Sequence, residues 1–464
     1  TARSRGLGDV YKRQEYDIRG KYPEEINEDV YSIIGKAIAV KCQNEKVNNV
    51  CLGRDGRLSG KILMEALEKS LITAGINVEN IGLTTSPLLY YAAKKQHSKS
   101  GIMVTGSHNP KNYNGIKMVI NDMPVSGVEV LSLVKKEIHS KNQGSITINN
   151  SIVDQYIEEV VDSKKFDLSS LKIVVDCGNG AAGIIAPKLF NALGCNVIEM
   201  FSEVDGNFPN HHPDPGNPNN LIDIAKMVVS EKADLGMAFD GDGDRLGLID
   251  ENGKLIFPDK IMMLFARDLL KSYEGGKVIF DVKCSSKLTE VIEGNGGEAI
   301  MTPTGHFHIK NSLKETMAML AGEMSGHIFF NDYWYGFDDA HYAGFRLLEI
   351  IKKNNRPLSK LIEEFPSTCA TPEINIDVED VKKFDVVNEF IQKCDFPGSK
   401  INTIDGIRIE YDDGWALLRA SNTSPKLVFR FEGDNIESLK NIISQFKNQF
   451  ELIFPNLEKI KYEE

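Results

Sequence analysis

KIVVDCGNGAAGIIAPKLFNALGCNVIEMF, residues 172–201, contains a complete structural unit. KIVVDC (172–177) opens with an apolar run too short for a helix and rich in β-branched residues, the pattern of a buried strand. IIAPKLFNALG (184–194) follows as an amphipathic helix with a glycine stop, and CNVIEMF (195–201) is a second strand. The same plan recurs upstream as VCLGRD (50–55), ILMEALEKSLITAG (62–75) and INVENIG (76–82). It recurs again downstream as KVIFDV (277–282), KLTEVIEGNGG (287–297) and EAIMTP (298–303). Three copies predict three α/β domains built alike, each with a mixed or parallel sheet.

From about residue 367 the pattern changes. Pro366 and Pro372 bracket a linker-like FPSTCATP, after which EINIDV, TIDGIRIEY, WALLRAS and KLVFRFEG read as strands and 435–453 as a closing helix. That predicts a smaller α+β domain with an antiparallel sheet. The expected division is 15–150, 151–255, 256–366 and 367–464, four domains around a central cleft. Residues 1–14, TARSRGLGDVYKRQ, read as a non-native leader, without an initiating Met or an apolar segment.

The 464 residues carry 54 Lys and Arg against 66 Asp and Glu, a net charge of −12. Without a basic run, nucleic acid and anionic membranes are poor partners, and no apolar stretch is long enough to span a bilayer. Seven dispersed cysteines with no CxxC read as reduced thiols of a cytoplasmic protein. A small anionic substrate remains open to such a chain, since it needs only local cations.

The densest chemical signal is Asp240-Gly-Asp-Gly-Asp-Arg245 between two apolar strands. Asp240, Asp242 and Asp244 can turn three carboxylates to one point, which suits Mg²⁺ or Ca²⁺, and Arg245 points to an anion beside them. A calcium-sensor loop fails, because its sixth position needs Gly where Arg245 stands and its flanks should be helices. Thr105-Gly-Ser-His-Asn-Pro110 offers an exposed Ser107 hydroxyl at a strand end, with His108 and Lys117 near it in sequence. Glu323 and Ser325 in GEMSGH (322–327) can grip sugar hydroxyls from one side. Arg419, Ser421, Asn422 and Thr423 in RASNTSP (419–425) can cradle an anion. Loops 282–287 and 302–310 end equivalent strands of the third unit. Taken singly, each of these turns also reads as a capped structural turn.

Jointly they say more. YDIRG (16–20), GRDGRLSG (53–60), TGSHNP, DGDGDR, TGH (304–306), GEMSGH and RASNTSP, in that order, resemble the α-D-phosphohexomutase family, most closely its bacterial bifunctional phosphomannomutase/phosphoglucomutase members. The resemblance runs from about Glu15 to the C-terminus. GEMSGH and RASNTSP do not match the GEQSGH and RPSGTEP-like loops usual in phosphoglucosamine mutases.

The resemblance implies a phosphosugar mutase that moves phosphate between C1 and C6 of mannose or glucose through a hexose 1,6-bisphosphate. It implies Ser107 as phosphoryl carrier, and Mg²⁺ held by Asp240, Asp242, Asp244 and an oxygen on Ser107. Glu323 and Ser325 would hold sugar hydroxyls, and Arg419, Ser421, Asn422 and Thr423 the distal phosphate. Tyr16, Arg19, His108, Lys117, Arg245, Lys283, His306 and His327 match positions lining that site. The expected partner is a small phosphosugar, on a monomer or weak dimer. A phosphoglucosamine or phosphopentose mutase is the alternative within the class. Outside it stand a phosphosugar phosphatase or binding protein on the same scaffold, and a calcium-responsive structural module.

Overall fold

The computed structural model describes residues 16–136, 142–422, 424–457 and Ile460. The segment read as a leader lies outside the described residues, as does Thr423. The first sheet contains β1 (Ile18–Lys21), β2 (Asn49–Arg54), β3 (Asn77–Leu83), β4 (Gly101–Val104), β5 (Tyr113–Ile120), β6 (Met123–Pro124) and β7 (Ile146–Ile148). Their order is β1-β5-β4-β2-β3-β7, with β6 on β5. The second sheet contains β8 (Lys172–Asp176), β9 (Asn196–Met200), β10 (Leu235–Phe239), β11 (Leu246–Asp250) and β12 (Leu255–Ile256), in the order β12-β11-β10-β8-β9. The third contains β13 (Lys277–Asp281), β14 (Glu298–Thr302), β15 (Leu320–Gly322) and β16 (Ile328–Phe330), in the order β14-β13-β15-β16.

The expected internal repeat extends further than the βαβ pattern. In each sheet a central strand lies parallel to both neighbours, and one neighbour turns back into an antiparallel fourth strand. The quartets are β3-β2-β4-β5, β9-β8-β10-β11 and β14-β13-β15-β16. The turn that closes each quartet is a loop singled out above. It is 105–112 after β4, 240–245 after β10 and 323–327 after β15. Equivalent strand ends therefore deliver three different chemistries to one place.

The inner faces of these three units share one apolar interior, which runs from Leu88 and Tyr91 through Phe190 and Phe239 to Phe265 and Phe345. The fourth unit contains β17 (Cys369–Ala370), β18 (Ile374–Asp377), β19 (Lys400–Asn402), β20 (Ile407–Tyr411), β21 (Gly414–Ala420) and β22 (Lys426–Gly433). All its pairings are antiparallel, and its core of Phe390, Phe429, Phe431, Phe446 and Phe450 is its own. Two readings change here. The FPSTCATP segment is no slack linker, because Cys369 and Ala370 pair with Gly433 and Glu432 of β22. A helix over Lys383–Lys393 was missed; it buries Val387 and Phe390 against the last helix, Ile436–Ile453. Phe384, Val387, Phe390 and Ile391 stand at helical spacing, so the helix was legible in the residues but passed over between strands. The seven cysteines are free thiols. Among the described residues no helix is long and apolar enough to cross a membrane.

Candidate active site

Ser107 stands just past β4 with a backbone φ of +48°, a left-handed conformation that costs a residue with a side chain roughly 1 kcal/mol or more. Asp55 and Arg57, at the end of β2, hold it there. Asp55 Oδ2 accepts from Thr105 Oγ1 at 2.7 Å and from Gly106 N at 3.3 Å, and Thr105 Oγ1 accepts from Ser107 N at 2.8 Å. Arg57 Nη2 donates to the carbonyls of Ser107 (2.7 Å) and Asn109 (2.6 Å). Its Nη1 donates to those of Pro110 (2.6 Å) and Tyr113 (2.8 Å), and its Nε to Asp55 at 3.2 Å. One rigid, buried fork thus clamps four carbonyls of the loop. Gly106 leaves room for it, since a Cβ there would lie 2.7 Å from the guanidinium carbon.

The hydroxyl expected to be exposed is buried instead: Ser107 is 1 % accessible. The clamp folds the turn inward and the second unit's acidic loop covers it. Sequence reading left Asp55 and Arg57 without a role. The signal was there, because VCLGRD, KIVVDC and KVIFDV each place an Asp at the end of the central strand. In the third unit that residue, Asp281, likewise accepts from the loop, at Met324 N (3.1 Å). Arg57→Lys keeps the charge but can reach only some of the four carbonyls. We expect kcat to fall about 10²-fold with KM changed far less, the scale of a misplaced reacting group. Rates normalised to phosphorylatable enzyme check this; an unchanged kcat would relegate Arg57 to stability alone.

Asp240, Asp242 and Asp244 are fully buried, with one oxygen from each inside a 4.8 Å cluster. Ser107 Oγ donates to Asp240 Oδ2 at 3.0 Å and lies 3.2 Å from His108 Nδ1. Lys117 Nζ bridges Asp242 Oδ2, at 2.7 Å, and Asp244 Oδ2. Ser86 Oγ also donates to Asp242 Oδ2, at 2.6 Å. Asp242 Oδ1 is buried with no hydrogen-bond partner among the described residues, and Asp244 Oδ1 has only the His327 ring at 3.2 Å. Burial and the neighbouring carboxylates push the Asp240 carboxyl well above its ordinary value. Burial and Asp244 press Asp242 the same way, but Lys117 outweighs them and holds it low. Three carboxylates against the Lys117 ammonium and the charged His327 ring leave one negative charge. The residues therefore fit a hard divalent cation such as Mg²⁺, which would reverse the shift at Asp240.

On the facing loop, His327 lies between Asp244 and Glu323, with Nδ1 2.8 Å from Glu323 Oε2. Burial disfavours its charge, yet Asp244 and Glu323 together raise it to about 9, and Glu323 is held at about 2. A protonated ring cannot accept from Arg245 Nε, 3.4 Å away, and Nη1 meets Asp214 only at 3.9 Å, so the Arg245 fork can still take an anion. Glu323 Oε1 also accepts from Gly305 N at 2.6 Å, and Ser325 Oγ lies 3.0 Å from His327 Nδ1. The pair read as free gripping groups is thus preorganised, with one further lone pair available on each carboxylate oxygen. Burial and the cations of Arg245 and Arg19 hold His108 well below the usual histidine value, so it is neutral.

The remaining residues close the ring. Asp17 joins His306 (3.2 Å) and Arg19 (2.8 Å), and Arg19 donates to Asn109 Oδ1 at 2.5 Å. Lys283 pairs with Glu373 at 2.7 Å, and Arg419 with Asp405 at 2.8 Å. Ser421 Oγ accepts from Ser424 N at 3.2 Å. Tyr16 Oη lies 2.7 Å from His308 Nε2 and accepts from Asn422 Nδ2 at 2.9 Å, linking first, third and fourth units. Asp17, His308 and Asp405 were not singled out in sequence; each also has a partner in another unit, Asp17 in His306, His308 in Tyr16 and Asp405 in Thr304 N at 3.0 Å, and no local pattern marks those pairings.

This chain matches phosphoglucomutase/phosphomannomutase alpha/beta/alpha domain I over residues 11–144, domain II over 154–253 and domain III over 257–369. The C-terminal domain of the same family matches over 373–449. It is 47% identical over 446 residues to a phosphomannomutase/phosphoglucomutase of Pseudomonas putida, covering 96% of each chain. It is 45% identical to a phosphoglucomutase of Neisseria gonorrhoeae, covering 96% of this chain and 98% of that protein. A crystal structure of a phosphoglucomutase/phosphomannomutase family protein from Burkholderia thailandensis superposes with a TM-score of 0.92 at 40% identity, over 97% of this chain and 99% of that one.

Proposed function

The chain belongs to the phosphoglucomutase/phosphomannomutase family and is a phosphohexomutase, and we propose that it interconverts the 1- and 6-phosphates of mannose and glucose through a phosphoserine on Ser107. The observation that carries this reading is the meeting of one nucleophile, one acidic triad and one sugar-sized loop at equivalent ends of three sheets. Phosphoryl transfer asks for in-line positioning and charge neutralisation more than covalent chemistry.

In the first half-reaction the free sugar hydroxyl attacks the phosphorus on Ser107. The Oγ–P bond breaks as the new O–P bond forms, the hydroxyl's proton ends on the freed Ser107 Oγ, and the product is a hexose 1,6-bisphosphate. After that intermediate turns end over end, Ser107 Oγ attacks its other phosphate, the sugar O–P bond breaks, and the freed sugar oxygen takes up the proton that Oγ loses. The neutral His108 ring, 3.2 Å from Oγ, can hold a hydrogen bond with Oγ and so orient it, but the burial and cations that keep the ring neutral disfavour its carrying the proton. Mg²⁺ held by Asp240, Asp242 and Asp244 would act as Lewis acid on the transferring phosphate. Arg245 steadies that phosphate from the other side. Arg419, Ser421, Asn422 and Thr423 take the distal phosphate, while Lys283 and His306 extend the cationic wall. The fourth unit must release Tyr16 from Asn422 for the intermediate to turn.

An assay of glucose 1-phosphate and mannose 1-phosphate with Mg²⁺ and catalytic hexose 1,6-bisphosphate tests the reading. Accumulation of inorganic phosphate instead of the 6-phosphates would mark a phosphatase. The site also predicts what it ignores. Mannose and glucose differ only at C2, so one site serves both by gripping O3 and O4 through Glu323 and Ser325. Turning the bisphosphate nearly exchanges those two hydroxyls. We expect 3-deoxy and 4-deoxy glucose 1-phosphate to lose about 10²-fold or more in kcat/KM, and 2-deoxy to lose little. Galactose 1-phosphate, inverted at C4, should also be poor, and a steep loss for the 2-deoxy sugar alone would show that C2 is read.

A further inference from the structure

Residues 201–217, FSEVDGNFPNHHPDPGN, leave β9 and form neither strand nor helix before Pro218. An irregular segment of that length inside a compact unit is commonly a functional one. Its course is fixed. Asn179 donates from its backbone to the Phe201 carbonyl and from Nδ2 to that of Glu203, both at 2.8 Å, and its Oδ1 accepts from Asn210 Nδ2 at 2.8 Å. Phe208 then lies against the Arg57 clamp, its ring centroid 5.4 Å from the guanidinium carbon. Gly206 packs so close that a Cβ there would lie 2.7 Å from the Gly56 carbonyl oxygen.

His211 braces the middle of the segment. Its Nε2 meets the Asp176 carboxylate at 3.0 and 3.2 Å, and its Nδ1 meets the His212 carbonyl at 3.0 Å. Carboxylate and carbonyl can only accept, so both ring nitrogens donate and the ring is an imidazolium. Burial disfavours that charge, but the Asp176 carboxylate outweighs it and raises His211 above the ordinary histidine value. Asp176 ends the central strand of its quartet, as Asp55 and Asp281 do in theirs, so all three units use that position to hold a loop. Braced in this way, the next residue reaches the first unit: His212 Nε2 donates to the His108 carbonyl at 2.5 Å. Arg57 takes the carbonyls of Ser107, Asn109 and Pro110, and among the described residues that of His108 is the one it leaves between them. His212 completes the set from the unit that carries the acidic loop.

We propose that His212 is a positioning residue for phosphoryl transfer: it pins the His108 carbonyl, and with it the Ser107 turn, to the unit that carries Asp240, with the His211–Asp176 pair as its brace. This role rests on Ser107 as the phosphoryl carrier. Ser107 Oγ and Asp240 Oδ2 belong to different units, so their 3.0 Å contact depends on how the two units are tied at this turn. Lys117 and Ser86 also join the first unit to the acidic loop, but from β5 and from the helix Ser86–Lys95, not from the turn itself. Transfer in line tolerates little error, a misplacement of about 1 Å costing about 10²-fold.

Turnover of the full chain on glucose 1-phosphate, with Mg²⁺ and catalytic glucose 1,6-bisphosphate, tests this in variants of His212. His212→Ala should lower kcat at least about tenfold and leave KM nearly unchanged, because the bond orients the nucleophile and touches no sugar. His212→Phe keeps the bulk of the ring without the donor and should be as slow. His212→Gln, whose side-chain amide can donate in place of Nε2, should recover most of kcat. The His211→Ala/His212→Ala double variant should be within about twofold of His212→Ala, since both side chains act through one bond. Parent kcat in His212→Ala overturns the proposal, as does a Gln variant no faster than the Phe variant. Ser107→Ala, measured alongside, separates the two readings. If it turns over at the parent rate, the phosphoserine reading falls and this role with it; if it is inactive while His212→Ala is unimpaired, only the positioning role falls.

Discussion

Ser107→Ala is expected to lower kcat by at least about 10³-fold, the scale seen when a covalent nucleophile is removed. The protein should remain folded, because everything that fixes the turn grips its backbone or its neighbours. Arg57 holds the Ser107 and Asn109 carbonyls, and Asp55 holds Thr105 and Gly106. What disappears is the hydroxyl 3.0 Å from Asp240, and with it the phosphorus acceptor. Intact-mass analysis of active enzyme should show a phosphate adduct that the variant lacks. Turnover at the parent rate would mean that the phosphoryl group rests on another residue.

Removing the divalent cation should have an effect of the same order. A chelator is expected to bring the rate to background, and Mg²⁺ to restore it. Asp242→Asn should cost about 10²-fold or more in kcat and little in KM, since the charge it removes acts on the transferring phosphate. Asp242 is the informative position because its Oδ1 is buried with no hydrogen-bond partner among the described residues while Oδ2 is held by Lys117 and Ser86. A rate indifferent to chelation would leave Lys117 and the His327 ring as the counter-charges and remove the metal from the reaction.

The strands, the three repeated units and the loops between them could be read from residues alone, because each depends on local apolar periodicity and on where it stops. The loop chemistry was readable too, since DGDGDR and TGSHNP are dense in unusual residues. What escaped is what long-range geometry creates. Arg57 reaches a turn 50 residues away, and Asn422 meets Tyr16 across 406. Neither pairing has a local signature. The burial of Ser107 was equally invisible, because a Gly/Asn/Pro-rich turn looks like surface unless its carbonyls are known to have an internal donor. The helix Lys383–Lys393 is a different case, because Phe384, Val387, Phe390 and Ile391 do carry a helical period, and only the strand-like runs on either side drew the eye from it.

The division of the apolar interior has a thermal consequence. The first three units share one apolar interior besides a core of their own in each, so losing that shared packing in one unit exposes the others. The fourth keeps its aromatic core to itself and meets the third through a small apolar contact of Val282, Trp415 and Leu417. Around that contact, Arg408 donates to the carbonyls of Val282 (2.6 Å) and Cys284 (2.7 Å), and Arg430 to that of Lys283. Such a seam is polar and local, which favours separate melting of its two sides. Heating would then loosen the C-terminal unit as one cooperative block while the larger block still holds its shape. The piece that first comes free is the one carrying Arg419, so the capacity to hold a distal phosphate fails before the acidic loop comes apart.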